Sequence, residues 1–148
     1  MFLKGGFSLV DKNLILRKLS ELENYQSQLD EYKRITVKEY SNNWKTQRII
    51  ERTLQLMIEI CIDISHHIIS DRKYRIPTGY SDTFLVLFEE GVVDEKLFSI
   101  LQQMAKFRNI LVHNYEKVDP GIVVSLVRSN LKDFSLYQDV ILKILKSD

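Results

Sequence analysis

Arg108, His113 and Tyr115 fall in an Arg-x-x-x-x-His-x-Tyr spacing within Arg108-Asn109-Ile110-Leu111-Val112-His113-Asn114-Tyr115. Together these residue types suit cleavage of an RNA phosphodiester. The ribose 2′-hydroxyl is itself the nucleophile, so the chemistry requires neither an added water nor a metal ion. Histidine exchanges protons near neutral pH, which makes His113 a candidate base for that hydroxyl or acid for the leaving oxygen. Arginine presents parallel N–H groups to phosphate oxygens, so Arg108 is the candidate for stabilising the charge of the pentacoordinate transition state. Asn109, four residues before His113, is placed to orient the imidazole if the turn stays helical. The plainer alternative is a basic last turn facing the negative end of the helix dipole, with Tyr115 packed beside it.

Five residues of regular helix set Arg108 and His113 roughly 140° apart around the axis, so they do not converge within one helix. Either the helix unwinds near Leu111, or two copies meet across a symmetric interface and Arg108 of one subunit approaches His113 of the other. The second arrangement, a homodimer, is the one expected.

The elements that must hold these residues are helices. Two prolines and five glycines in 148 residues fall between long patterns of helical period, and predict one all-α domain over residues 1–148, an antiparallel bundle of about five helices. A first helix is expected from about Asp11 to Tyr32, with Leu14, Leu19, Leu22, Tyr25 and Leu29 on its apolar face. Thr36-Val37-Lys38-Glu39 has capping-box spacing. The longest helix is expected from about Trp44 to Ser70, followed by the loop Asp71–Gly79. A helix from about Ser81 to Glu90 should stop at Gly91, and Asp94 should cap the helix that carries the motif. Asp119-Pro120 opens a last helix expected to run nearly to Lys146.

On the long helix, Arg48, Arg52, Gln55, Glu59, Asp63 and His66 share an arc of roughly 80°. Apolar residues from Ile49 to Ile69 surround that stripe, which predicts a helix buried on most sides. Its arginines are N-terminal and its carboxylates C-terminal, opposite to the preference of the helix dipole, so partners from another helix or subunit are expected. Glu59 and Asp63 are candidate cleft-lining residues, although a solvated face would also account for the stripe. His66 and His67 point roughly 100° apart and lack ligand spacing, so no metal site is assigned. Arg72, Lys73 and Arg75 are read as a solvated loop in preference to a substrate guide.

A composition of 45% hydrophobic and 28% charged residues with a net charge of +1 is globular and excludes an overall basic field for nucleic acid; contact with RNA must be local. The lone Cys61 reads as core packing and suits a reducing compartment. Lys4, Gly5-Gly6 and Asp11 break the N-terminal apolar residues, so neither a signal peptide nor a membrane span is read there, and a cytoplasmic location is expected.

Arg108-Asn109-x-x-Val112-His113-x-Tyr115, late in an all-α chain with the segment Glu59-Ile60-Cys61-Ile62-Asp63-Ile64 and a helix after Asp119-Pro120, resembles the HepT toxins of the HEPN superfamily. Met1 to Leu9 lie outside the match. The resemblance implies a homodimeric, metal-independent endoribonuclease without a cofactor, its catalytic pair Arg108 and His113 in a composite cleft at the dimer seam. It also implies a partner encoded alongside, a minimal nucleotidyltransferase antitoxin of the MntA type, which transfers AMP from ATP to the motif tyrosine, Tyr115. A phenol can become a nucleophile, and the added phosphate would set negative charge beside the RNA-binding groups. Two other readings stay open: a nucleotide-binding or adaptor subunit that uses the same groove without catalysis, and a purely structural helical dimer.

Overall fold

The computed structural model describes residues 9–147, so most of the N-terminal segment Met1 to Leu9 lies outside the described residues. The architecture is the expected all-α bundle: α1 (Leu9–Leu29), α2 (Val37–Ser41), α3 (Trp44–Asp71), α4 (Tyr80–Glu89), α5 (Glu95–His113), α6 (Pro120–Ser129) and α7 (Lys132–Ser147), with 3₁₀ turns at Asp30–Tyr32 and Tyr115–Lys117. There are seven helices among the described residues rather than about five. The capping box forms a five-residue helix of its own, and the last expected helix is two.

Local chemistry fixes the boundaries. The Thr36 hydroxyl accepts from the Glu39 N–H while the Glu39 carboxylate accepts from the Thr36 N–H, which starts α2. The Asp94 carboxylate accepts from the Leu97 N–H at 2.8 Å and starts α5. Gly91 ends the α4 segment with φ +73°, the left-handed conformation glycine adopts without penalty. The Asp119 carboxylate accepts from the Gly121 N–H with Pro120 in the first turn. The expected continuation to Lys146 is broken at Asn130, whose φ of −120° and ψ of 11° leave the helical region. The Asp133 N–H then bonds back to the Asn130 carbonyl and α7 begins. Asparagine competes with the helical ladder through its own side chain, which favours a stop there.

Helix α3 is the central element and packs against α1, α2, α4 and α5. Ile50, Leu54, Met57, Ile58, Cys61, Ile64 and Ile68 are at most 1% exposed, and burial pushes the Cys61 thiol well above its usual range, so it stays protonated. Ile49 departs from the expectation, at 51% exposed, together with Trp44 at 65%. A helix of this length spans about 42 Å and outruns the shorter α5 beside it, so its first turns keep an open side. Ile15, rather than Leu14, faces the core on α1. The Tyr137 hydroxyl from α7 donates to the Cys61 carbonyl and meets the Ser65 hydroxyl at 2.8 Å, a buried polar tie across the bundle. Because Ile64 has no exposed surface, Ile64→Ala is expected to lower unfolding free energy by about 2–5 kcal/mol, measured by denaturant titration.

Candidate functional site

The motif straddles the end of α5. Arg108 lies one and a half turns before that end, His113 is its last residue, Asn114 closes it, and Tyr115 opens the following 3₁₀ turn. The Arg108 side chain is 14% exposed. Its Nε donates to Glu59 Oε2 at 2.9 Å and its Nη2 pairs with the same oxygen at 2.9 Å, and its guanidinium carbon stands 4.7 Å from the centre of the Tyr80 ring. Gln55 donates to the same Glu59 oxygen at 3.0 Å. The guanidinium is therefore clamped along one edge by charge-assisted bonds, with Nη1 on the opposite arm.

That arm reaches Asn109 Oδ1 at 3.4 Å. Asn109 is thus directed to Arg108 and not to the imidazole it was expected to orient; the adjacent charged donor is the stronger attraction for an amide oxygen. His113 is exposed on the outer surface. Helix α5 stays regular through Leu111, so the unwinding alternative does not occur and the two motif residues diverge around the axis within one chain.

The groove beside Arg108 has a volume of about 360 Å³ and is lined in part by Glu59, Asp63, His66, Tyr25 and Tyr80. Asp63 pairs with Lys18 of α1 at 2.8 Å, and His66 Nε2 meets the Thr83 hydroxyl of α4 at 2.9 Å. Glu59, Asp63 and His66 of the stripe thus find partners on α5, α1 and α4, in line with the expectation from its charge order. Arg75 lies elsewhere, held by both Asp82 oxygens at 2.8 and 2.9 Å and by Glu89 at 2.9 Å. These bonds tie the loop after α3 to α4 and hold the Asp82 carboxyl well below its usual range.

Tyr115 belongs to a second cluster, which sequence reasoning left out. Its hydroxyl donates to Glu51 Oε1 at 2.5 Å and accepts from Arg48 Nη1, while the Arg48 guanidinium carbon lies 4.8 Å from its ring centre. Glu51 is only 6% exposed, and its other oxygen accepts from the hydroxyl of buried Tyr40 in α2. Burial raises the Glu51 carboxyl above its usual range, against the Tyr40 hydrogen bond and the Arg48 charge, which both lower it. Burial, and then Glu51 itself, push the Tyr40 phenol up, so Tyr40 remains a donor. Glu51 sits at the edge of the recognised stripe, about 60° from Arg48 around the helix; a carboxylate three residues after Arg48 on a largely apolar helix was the available signal.

Among the described residues no helix is long and apolar enough to cross a membrane. The sequence matches the family described as Ribonuclease HepT-like over residues 15–141. It is 33% identical to an mRNA nuclease HepT of Shewanella oneidensis over 103 residues, covering 70% of this chain and 77% of that one. It is 27% identical to a tRNA nuclease HepT of Aphanizomenon flos-aquae over 128 residues, covering 86% and 87%. Among solved structures, a tri-AMPylated Shewanella oneidensis HEPN toxin in complex with an MNT antitoxin superposes with a TM-score of 0.80 at 28% identity, over 87% of this chain and 96% of that one. A toxin–antitoxin complex with AMP-PNP gives a TM-score of 0.82 at 27% identity, over 88% and 98%. An Arg-x-x-x-x-His-x-Tyr motif at the end of a bundle helix and similarity along most of the chain agree: this protein belongs to the HepT-like ribonuclease family.

Proposed function

We propose that this chain is the toxin of a toxin–antitoxin pair, an endoribonuclease that acts as a homodimer in the cytoplasm, its composite cleft taking Arg108 from one subunit and His113 from the other. The reading rests above all on one contrast: Arg108 is clamped and half-buried against Glu59, whereas His113 stands exposed at the end of the same helix. A guanidinium so fixed is preorganised for the phosphate of an incoming strand, and an exposed imidazole is free to meet a second surface. In the dimer His113 takes the proton of the ribose 2′-hydroxyl, the 2′-oxygen attacks the adjacent phosphorus, and the 5′-oxygen leaves with a proton from solvent. A 2′,3′-cyclic phosphate remains. Glu59 is the positioning residue for Arg108, and Asp63 lines the same groove.

The partner is a nucleotidyltransferase antitoxin of the kind bound to the similar toxins, and Tyr115 is the AMP acceptor. An AMP on that phenol adds a phosphodiester charge two residues from His113, which repels the RNA backbone. The test is incubation of purified protein with RNA in EDTA: cleavage leaving cyclic or 2′/3′-phosphate ends is expected. Strict dependence on an added metal ion would overturn the reading, and intact RNA with tightly bound nucleotide would favour the adaptor alternative.

A further inference from the structure

We propose that Glu51 is the base for AMP transfer to Tyr115, so that the toxin itself supplies the group that activates the acceptor, with Arg48 stabilising the phenolate and Tyr40 positioning the carboxylate. The inference rests on Tyr115 being the acceptor. Glu51 Oε1 lies 2.5 Å from the Tyr115 hydroxyl, in direct contact with the oxygen that must react. Tyr40 holds the other carboxylate oxygen from the buried side, so Oε1 is the one turned towards Tyr115. The Tyr115 oxygen donates to Glu51 and accepts from Arg48, which leaves one lone pair uncommitted. Tyr115 is 39% exposed, so a nucleotide can approach from outside while the acceptor of its proton waits behind.

The Tyr115 O–H bond breaks and its proton passes to Glu51 Oε1. The phenolate oxygen forms a bond to the α-phosphorus of ATP held by the transferase, the bond from that phosphorus to the bridging oxygen breaks, and pyrophosphate leaves with the electron pair. Glu51 then releases its proton to water. Arg48 donates to the phenol oxygen throughout, so negative charge developing there meets a cation already in place. Burial raises the Glu51 carboxyl above its usual range, which makes it a stronger base than an exposed carboxylate.

A phenol oxygen carries one AMP only, so any later AMP must attach to an atom beyond the tyrosine. Glu51 serves the first addition and not those that follow, a distinction no general loss of structure would produce. The experiment uses full-length protein with the partner nucleotidyltransferase and ATP, following successive AMP additions by intact mass between pH 5 and 9. Glu51→Gln is expected to lower the kcat of the first addition by about 10²-fold with the KM for ATP unchanged. Its rate should rise with hydroxide concentration in place of the wild-type profile, which falls only as acid protonates Glu51. Once one AMP is on, further additions should run at the wild-type rate. Tyr40→Phe, which leaves the base but frees one oxygen, should slow the first addition by about threefold to tenfold, the size of one ordinary hydrogen bond. A first addition within twofold of wild type in Glu51→Gln, with the same pH profile, overturns the proposal while leaving Tyr115 as acceptor. Should that variant fail to fold, a wild-type rate and profile in Tyr40→Phe overturns it instead. Modification of Tyr115→Phe at the wild-type rate removes the acceptor assignment and the proposal together.

Discussion

His113→Ala is expected to lower RNA cleavage by about 10²–10⁴-fold, the range for removing a positioned proton-transfer group, without disturbing the fold. The second half of that expectation follows from placement. His113 is the last residue of α5 and exposed, so its truncation opens no cavity and strands no buried partner. Cleavage of a defined RNA read beside a thermal melt separates the two effects. A drop in cleavage that tracks a drop in melting temperature would contradict the assignment, because a catalytic role demands lost rate in an intact protein.

Tyr115→Phe is expected to abolish AMP attachment and, with it, control by the antitoxin: the variant's cleavage should be the same with and without transferase and ATP, whereas wild-type cleavage is extinguished. The ring and its stacking against Arg48 survive the change, and only the reacting oxygen is lost. Glu51 keeps Tyr40 and Arg48 as partners, so the buried carboxylate is not left uncompensated. Intact mass and an RNA gel on the same samples check this. Suppression of the variant's cleavage without a mass increase would assign neutralisation to binding rather than to modification.

Much of the fold is legible because it is written locally. The capping box at Thr36 and Glu39, the Asp94 cap, Gly91 and Asp119-Pro120 each act within a turn of the chain, and each lies where its spacing placed it. The break between α6 and α7 was hidden by its own periodicity. Val123, Val127, Leu131, Phe134, Ile141 and Leu145 are all buried and keep helical phase through the interruption, so the hydrophobic pattern continues where the backbone does not. Only Asn130 marks the stop.

At the site, the motif residues are visible in sequence because they fall within eight positions, while most of their partners are not. Glu59 was picked out from the odd charge order of α3, and its pairing with Arg108 bridges 49 residues. Glu51 and Tyr40 carry no comparable mark. Their relation to Tyr115 spans 64 residues between Glu51 and the motif and depends on α2 folding back over α3. Asn109 illustrates the opposite error, in which a favourable four-residue spacing to His113 lost to a charged neighbour one residue away.

In the proposed dimer one phosphodiester meets Arg108 and His113 from different subunits. This sharing is tested most directly by mixing: Arg108→Ala and His113→Ala proteins, each inactive alone, are co-refolded in equal amounts and assayed for RNA cleavage. In a two-fold dimer with shared sites, half the molecules are mixed and each carries one intact site, so activity should return to about a quarter of wild type. Continued inactivity of the mixture, with subunit exchange demonstrated by mass, would contradict the account, because it would place both residues of a working site in the same chain.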